Sequence, residues 1–354
     1  MTRFSGKELI FRQERCCEVG VAELDSDTLG PGQLLVEARY SLISQGTELA
    51  NYTGLDPGTR LAGSWNCYPH RSGYASTGTV VATGPPADGA PAFGIGDPVF
   101  TTTNHARYGV ADPATRPVVK LRDDDDQRTL ILCRMAAIAM TAIRKSSSVD
   151  LGGHSVVVGL GLIGYFAAQL LRLGGMDVLG IDTAAVRREA AVAAGLRVET
   201  AHAVGDVRVH RTGGMDGPDL VIEATGSLAG LHLALELVRD GGEVVLLGTP
   251  RGTSTSDATN LMSAIHYRGL RLVGALEWLL PLHSGPWSAR WSLYDSYHTL
   301  FGLFRSQELR LGGWQVRTVR PDEAQAVYSE LANEPPSAHA VVFDWRSDVR
   351  LGQM

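Results

Sequence analysis

The sequence predicts an α/β protein in two parts, a largely antiparallel β domain followed by a doubly wound parallel sheet. Three observations predict it. The β-branched run His154-Ser155-Val156-Val157-Val158 leads straight into Gly159-Leu160-Gly161-Leu162-Ile163-Gly164, and Asp182 closes the next strand-like segment. From about residue 150 onward, strand-like and helix-like segments alternate. Before residue 120 the text consists instead of short strands punctuated by glycine and proline.

Taken in order, Leu34 to Tyr40 alternates apolar and polar residues, Gly78 to Gly84 forms a second strand-like stretch, and Asp97-Pro98-Val99-Phe100 opens another. Pro85 to Gly94 reads as a loop. Asp123 to Asp126 is a solvated acidic run whose charge favours the start of the helix expected over 127–145. Parallel strands are expected at 156–158, 178–181, 220–224, 244–247 and 270–273. Covering helices are expected at 162–173, 187–194 and 228–238. Residues 276–310 break this rhythm, and 314–345 return to strand, helix and strand.

Each glycine of the turn has its own task. Gly159 permits the sharp turn from strand to helix, Gly161 lets a pyrophosphate approach the backbone, and Gly164 lets the helix pack closely on the strand. The phosphates then rest on the unpaired N–H groups of the helix start, around Leu162 and Ile163. Asp182 accepts from the adenosine ribose hydroxyls, which favours NAD over NADP because a 2′-phosphate would meet its carboxylate. Arg187 and Arg188, one turn later, pull the other way. Thr225 and Gly248, near the ends of later strands, complete the expected cofactor-binding set.

At 354 residues, 44% hydrophobic and 20% charged, the chain has the composition of a soluble two-domain protein. A net charge of -6 without a Lys/Arg block excludes nucleic acid or an anionic membrane as the main partner and leaves small molecules. Cys16, Cys17, Cys67 and Cys133 fit neither a disulfide framework nor a CxxC metal pattern. They read as reduced thiols. The first residues carry charges where a signal peptide needs an apolar core, and no apolar run reaches the roughly 18 residues of a membrane span. Leu130 to Ile143 comes nearest and contains Arg134. A cytoplasmic location is expected.

The whole pattern resembles the medium-chain dehydrogenase/reductase superfamily over almost the entire chain. Ser41-Leu42-Ile43-Ser44-Gln45-Gly46-Thr47-Glu48 stands in place of the GICGTD of zinc alcohol dehydrogenases, and Gly73-Tyr74-Ala75-Ser76-Thr77-Gly78-Thr79-Val80 in place of GHExxGxV. Gly96-Asp97-Pro98-Val99-Phe100 replaces GDRV. The S-x-I-S-x-G-T-E wording is similar to zinc-lacking branches such as bacteriochlorophyllide dehydrogenases and bi-domain sugar oxidoreductases. The resemblance implies a GroES-like β-rich catalytic domain over 1–127 and 305–354, a Rossmann domain over 128–304, and a homodimer.

It also implies where catalytic zinc would sit. Ser44 falls where the first Cys ligand belongs, Tyr74 where the His belongs, Ala75 where its neighbouring acid belongs, and Ala137 near the third ligand, with Cys133 one turn earlier. Neutral Ser and Tyr oxygens are poor Zn²⁺ ligands, and Phe100 to Asp112 lacks the cysteines of the structural zinc lobe. No metal is expected. Alcohol oxidation then needs a proton acceptor and donors for the developing alkoxide. Thr47 matches the hydroxyl that begins the family's proton relay, while Ala50 replaces its histidine. Glu48 is the leading general base, if it faces the pocket with a raised pKa; the alternative is a structural ion pair with an arginine. Tyr74 either donates to the substrate oxygen or fills the vacated metal space, and Ser44 either binds substrate or caps the turn.

His105 and Asn51 are candidates for the pocket edge, with His70 a weaker one. Trp278, His283, Trp287, Trp291, Tyr294, Tyr297 and His298 crowd the irregular segment. Three of the six tryptophans lie there, which suggests a substrate wall led by Trp278 and Trp287, an oligomer contact or core packing. The leading function is a zinc-independent, NAD-dependent dehydrogenase acting on a secondary alcohol of a polyol, sugar, cyclitol or larger biosynthetic intermediate. A quinone or enoyl reductase and a non-catalytic nicotinamide-binding protein are the alternatives.

Overall fold

The computed structural model describes residues 2–87, 92–201, 217–285, 291–334 and 336–347. The chain divides into two compact units, one of residues 1–134, 316–335 and 339–354 and one of 135–315 and 336–338. The expected boundaries differ from these at 128–134, which go with the first unit, and at 305–315, together with the short stretch 336–338, which go with the second. The second difference has a local cause. Tyr165 donates to the carbonyl of Leu311 at 2.7 Å and Gln169 to that of Arg310 at 2.9 Å, which ties this stretch to helix Leu162–Leu173.

In the first unit the central strand is Leu34–Leu42, whose residues are mostly buried, as its alternating and β-branched text requires. It pairs antiparallel with Ser76–Thr83, Tyr108–Ala111 and His339–Asp344. Pro98–Thr101 and Val119–Lys120 extend the sheet beyond Ser76–Thr83. A hairpin of Arg3–Gln13 and Cys16–Asp25 forms a smaller sheet with His70–Arg71. Its charged text hides the alternation, and sequence analysis left it unassigned. Phe11, Tyr52, Tyr328, Phe343 and Trp345 pack into a ring-rich core. Helix Gln45–Tyr52 leaves the end of Leu34–Leu42 beside that core.

The second unit holds a six-stranded, wholly parallel sheet in the order Arg197–Glu199, Asp177–Ile181, His154–Val158, Leu220–Glu223, Glu243–Leu246, Arg271–Gly274. Five of these strands match the expected segments to within a few residues. The strand order reverses between His154–Val158 and Leu220–Glu223, so their carboxyl ends open a crevice at the switch point. Val156, Val158, Ile181, Val221 and Val244 pack the sheet against its helices. Two helices correct the sequence reading. Ala258–Arg268 is a helix that had no assignment, and Leu293–Arg305 lies inside the stretch expected to be irregular. The latter starts at a capping box of Ser292 and Asp295 that the surrounding tryptophans and histidines obscured.

The helix expected over 127–145 is two, Gln127–Leu130 and Cys133–Lys145. Asp126 caps the first by accepting from the Arg128 N–H, as its acidic run suggested.

Candidate active site

The glycine turn of the second unit has the geometry its spacing predicts. Gly159 sits at φ 92°, and its N–H donates to the Ile181 carbonyl at 2.7 Å. A methyl group on Gly164 would lie 1.9 Å from the Gly159 carbonyl oxygen, so close packing of helix on strand demands glycine there. Gly161 differs. A methyl group on it would meet only the Arg187 guanidinium, at 3.7 Å, so no packing within the protein requires this glycine. The open face lies at the start of helix Leu162–Leu173, where the first-turn N–H groups of Leu162 and Ile163 collect positive potential.

Asp182 is buried and fixed. Its oxygens accept from the Leu160 N–H at 2.7 Å and the Ala184 N–H at 2.8 Å, leaving lone pairs on both. Arg187 stands 3.8 Å from the same carboxylate and donates to the Ser337 carbonyl at 3.3 Å. Burial lowers its pKa while Asp182 raises it, and it stays cationic. Thr225 is held by Glu223, whose carboxylate accepts from the Thr225 N–H at 2.7 Å and from its hydroxyl. The Gly248 N–H donates to the Glu223 carbonyl at 2.9 Å, which brings both loops together at the crevice. Sequence reasoning missed Glu223. Its carboxyl is pushed up by burial, against the pull of Thr225 and Gly226.

In the first unit three hydroxyls converge. Tyr74 donates to Ser44 Oγ and lies 3.1 Å from Thr47 Oγ1. Ser44 is buried, whereas Tyr74 and Thr47 keep part of their surface open. Beneath the ring, the Arg134 guanidinium carbon sits 4.9 Å from its centroid. Arg134 is only 1% exposed. Burial raises the Tyr74 pKa, and the Arg134 charge and the two hydroxyls offset only part of that. Tyr74 is therefore a protonated donor at neutral pH.

Glu48 is placed otherwise than expected. It is 1% exposed and accepts from the Ser44 N–H at 2.7 Å, Ser72 Oγ at 2.8 Å, His105 Nε2 at 2.8 Å and the Tyr328 hydroxyl. Burial alone would raise its pKa, but the His105 interaction, the Tyr328 hydroxyl and the Ser44 N–H outweigh it and hold the carboxyl below its usual range. The expectation of a semi-buried base with a raised pKa is corrected. Its structural partners are His105, Ser72 and Tyr328 rather than an arginine.

His105 is likewise a buried member of this network, not a pocket-edge residue. Its Nδ1 lies 2.7 Å from Ser41 Oγ, which also accepts from Trp345 Nε1 at 2.9 Å. Asn51 is buried too and accepts from Asn66 at 2.9 Å through its side chain and from the Tyr68 hydroxyl through its carbonyl, so it is corrected in the same way. Ser72, Tyr328 and Trp345 carry no motif signal that sequence reasoning could have used, whereas Ser41 opens the S-x-I-S-x-G-T-E motif without any sign of its partners.

The amino-acid sequence matches a family model described as zinc-binding dehydrogenase over residues 163–280. It is 24% identical to D-guloside 3-dehydrogenase of Shigella flexneri over 72% of this chain and 76% of that protein. It is 29% identical to L-galactonate-5-dehydrogenase of Escherichia coli over 42% of this chain, a match that spans less than half (44%) of that relative. In fold it resembles acetophenone reductase of Geotrichum candidum in complex with NAD, with a TM-score of 0.71, 18% identity and 98% of each chain covered. In sequence and in fold the chain resembles the medium-chain dehydrogenase/reductase superfamily, the family match itself covering part of the second unit. Its two units have the GroES-like and Rossmann folds of the dehydrogenase structures it resembles.

Zinc, which the matched family's description implies, does not fit the residues at the superfamily's ligand positions. Ser44 and Tyr74 offer neutral oxygens already bonded to one another, Ala75 and Ala137 offer nothing, and a guanidinium lies under the Tyr74 ring. Among the described residues no cluster of three or more His, Cys, Asp or Glu side chains is placed to hold a metal.

Among the described residues the aromatic segment does not form a single wall. Tyr297 is fully buried in its helix, Trp291 lies under Arg144 at 4.5 Å, and His283 stacks on Tyr294 at 4.6 Å. Trp278, in the second unit, is 40% exposed. Trp287 lies outside the described residues.

Proposed function

We propose that this protein is a zinc-independent, NAD-dependent dehydrogenase that interconverts a secondary alcohol and its ketone on a polyol, sugar, cyclitol or larger biosynthetic intermediate. The observation that carries the reading is the half-buried Tyr74, whose hydroxyl bonds Ser44 and Thr47 at the position where the superfamily places its metal. A nicotinamide cofactor, when bound, supplies or accepts the hydride at the carbinol carbon.

The residues present fit that cofactor. Gly161 leaves open the space a Cβ would fill, the first turn at Leu162 and Ile163 offers N–H donors to a pyrophosphate, and Arg187 offers a positive charge above it. Asp182 keeps lone pairs for ribose hydroxyls, which supports NAD over NADP. Thr225 and Gly248 line the adjoining loops. Tyr74 and Thr47, the two members of the hydroxyl cluster with open surface, hold the substrate oxygen, and Ser44 fixes them from behind. Glu48 is a positioning residue. Its carboxylate fixes the Ser44 backbone at the start of helix Gln45–Tyr52.

The names of the two relatives, dehydrogenases of a galactonate and a guloside, support a polyol or sugar substrate. The net charge of -6 supports a small-molecule partner over nucleic acid, and no described helix is long and apolar enough to cross a membrane. A cytoplasmic homodimer completes the proposal. The test is NADH and NADPH titration by fluorescence, then turnover of a polyol and ketose panel after chelation. NADH binding with metal-free turnover, lost in Tyr74→Phe, is the expected result. Enone reduction alone, or full activity in Tyr74→Phe, overturns it.

A further inference from the structure

Arg134 is a charged side chain in the most apolar long stretch of the sequence, and it is among the largest fully buried side chains of the described residues. A buried guanidinium is costly unless its charge is used. It belongs to the first unit, as Tyr74, Ser44 and Thr47 do, and its guanidinium carbon lies 4.9 Å from the Tyr74 ring centroid. Two charged groups act on the Tyr74 hydroxyl. Arg134 favours its ionised form and Glu48 opposes it. The Glu48 carboxylate is itself engaged by Ser44, Ser72, His105 and Tyr328.

We propose that Arg134 is the fixed positive charge of the alcohol site, stabilising from under the ring the phenolate formed when Tyr74 gives its proton to a substrate carbonyl oxygen. The inference rests on the reading that Tyr74 touches that oxygen. In ketone reduction the substrate carbon gains a hydride from the nicotinamide and the carbonyl π bond breaks. The oxygen takes the Tyr74 proton, and the Tyr74 O–H bond breaks in the same event. The hydroxyls of Ser44 and Thr47 rotate to donate to the new phenolate, whose charge Arg134 balances until a solvent proton restores the phenol. An arginine charge thus replaces the Lewis acid that Ser44, Tyr74 and Ala137 no longer hold. Burial keeps Tyr74 protonated at neutral pH, so the site favours ketone reduction there, and alcohol oxidation gains as pH rises.

The test needs no substrate. Tyrosinate absorbance of the full-length protein without cofactor is titrated in wild type and in Tyr74→Phe, and the difference reports Tyr74. The same pair is then measured on an Arg134→Met background and on an Arg134→Lys background. Arg134→Met is expected to raise the Tyr74 pKa by about one to three units, and Arg134→Lys, which keeps the charge, by less than about one. Turnover of acetoin, cyclohexanone and fructose with NADH is expected to fall about 10²-fold in Arg134→Met and to recover in part in Arg134→Lys.

An unchanged Tyr74 titration in Arg134→Met overturns the inference. Should that variant fail to fold, a Lys variant whose Tyr74 pKa climbs by more than about one unit overturns it too, since the charge is still present. Full activity of Tyr74→Phe overturns the underlying reading instead, so the two failures are distinct.

Discussion

Replacing Glu48 with glutamine separates a buried organiser from a general base. The wild-type carboxylate takes three donors on Oε2, from His105, Ser72 and Tyr328, and the Ser44 N–H on Oε1. An amide has one acceptor oxygen and one NH₂ group. If its oxygen faces the three donors, the NH₂ meets the Ser44 N–H; if it is flipped, the NH₂ meets all three. The hydroxyls of Ser72 and Tyr328 can rotate to accept, but the Ser44 N–H is fixed. Exchanging charge-assisted bonds for neutral ones costs about 1 kcal/mol each, offset in part by not burying a charge, and one orphaned donor adds about 1–3 kcal/mol. A net loss of about 3 kcal/mol follows, or a fall of about 6–12 °C in melting temperature for a unit of this size.

Differential scanning calorimetry at neutral pH reads the effect, with NADH affinity and turnover measured alongside. The pKa of Glu48 is depressed in the fold, so its stabilisation is present above the ordinary carboxylate pKa and is lost as pH falls towards the folded value. Wild type therefore loses its advantage over Glu48→Gln on acidification. An unchanged melting temperature with turnover reduced about 10²-fold would refute the reasoning and restore Glu48 as the proton acceptor.

Gly161→Ala is expected to melt like wild type, since its methyl group meets only the Arg187 guanidinium, yet to weaken NADH binding about tenfold or more in fluorescence titration. Gly164→Ala behaves in the opposite way, with a marked loss of stability in the same calorimetric assay, because its methyl group falls 1.9 Å from the Gly159 carbonyl oxygen. Asp182→Ala removes the ribose acceptor and the repulsion towards a 2′-phosphate, so the ratio of NADPH to NADH affinity rises about tenfold; an unaltered ratio counts against Asp182 as the selector. Tyr74→Phe keeps NADH binding and lowers ketone turnover about 10²-fold, measured from NADH absorbance.

The doubly wound half was legible because its signals are local. A β-branched run, a glycine turn and an acid lie within one stretch of chain, and each glycine acts through its own backbone. The edge strand Arg197–Glu199 and helix Ala258–Arg268 were missed where few buried positions enforce a period. The catalytic half was harder to read because its assignments depend on contacts distant in sequence. Tyr328 reaches Glu48 across 280 positions, and Trp345 reaches Ser41 across 304. No spacing rule foretells that these groups close over a carboxylate. Arg134 did leave a trace, as the one charge in the most apolar stretch, but only its place under the Tyr74 ring gives it a meaning.

In the proposed site side-chain hydroxyls, not a metal, hold the reacting oxygen. Elemental analysis of the purified protein, paired with NADH-dependent ketone turnover before and after exhaustive chelation, tests this most directly. Substoichiometric zinc and turnover that survives chelation are expected. One equivalent of tightly held zinc whose removal abolishes turnover, and whose return restores it, would contradict the proposal.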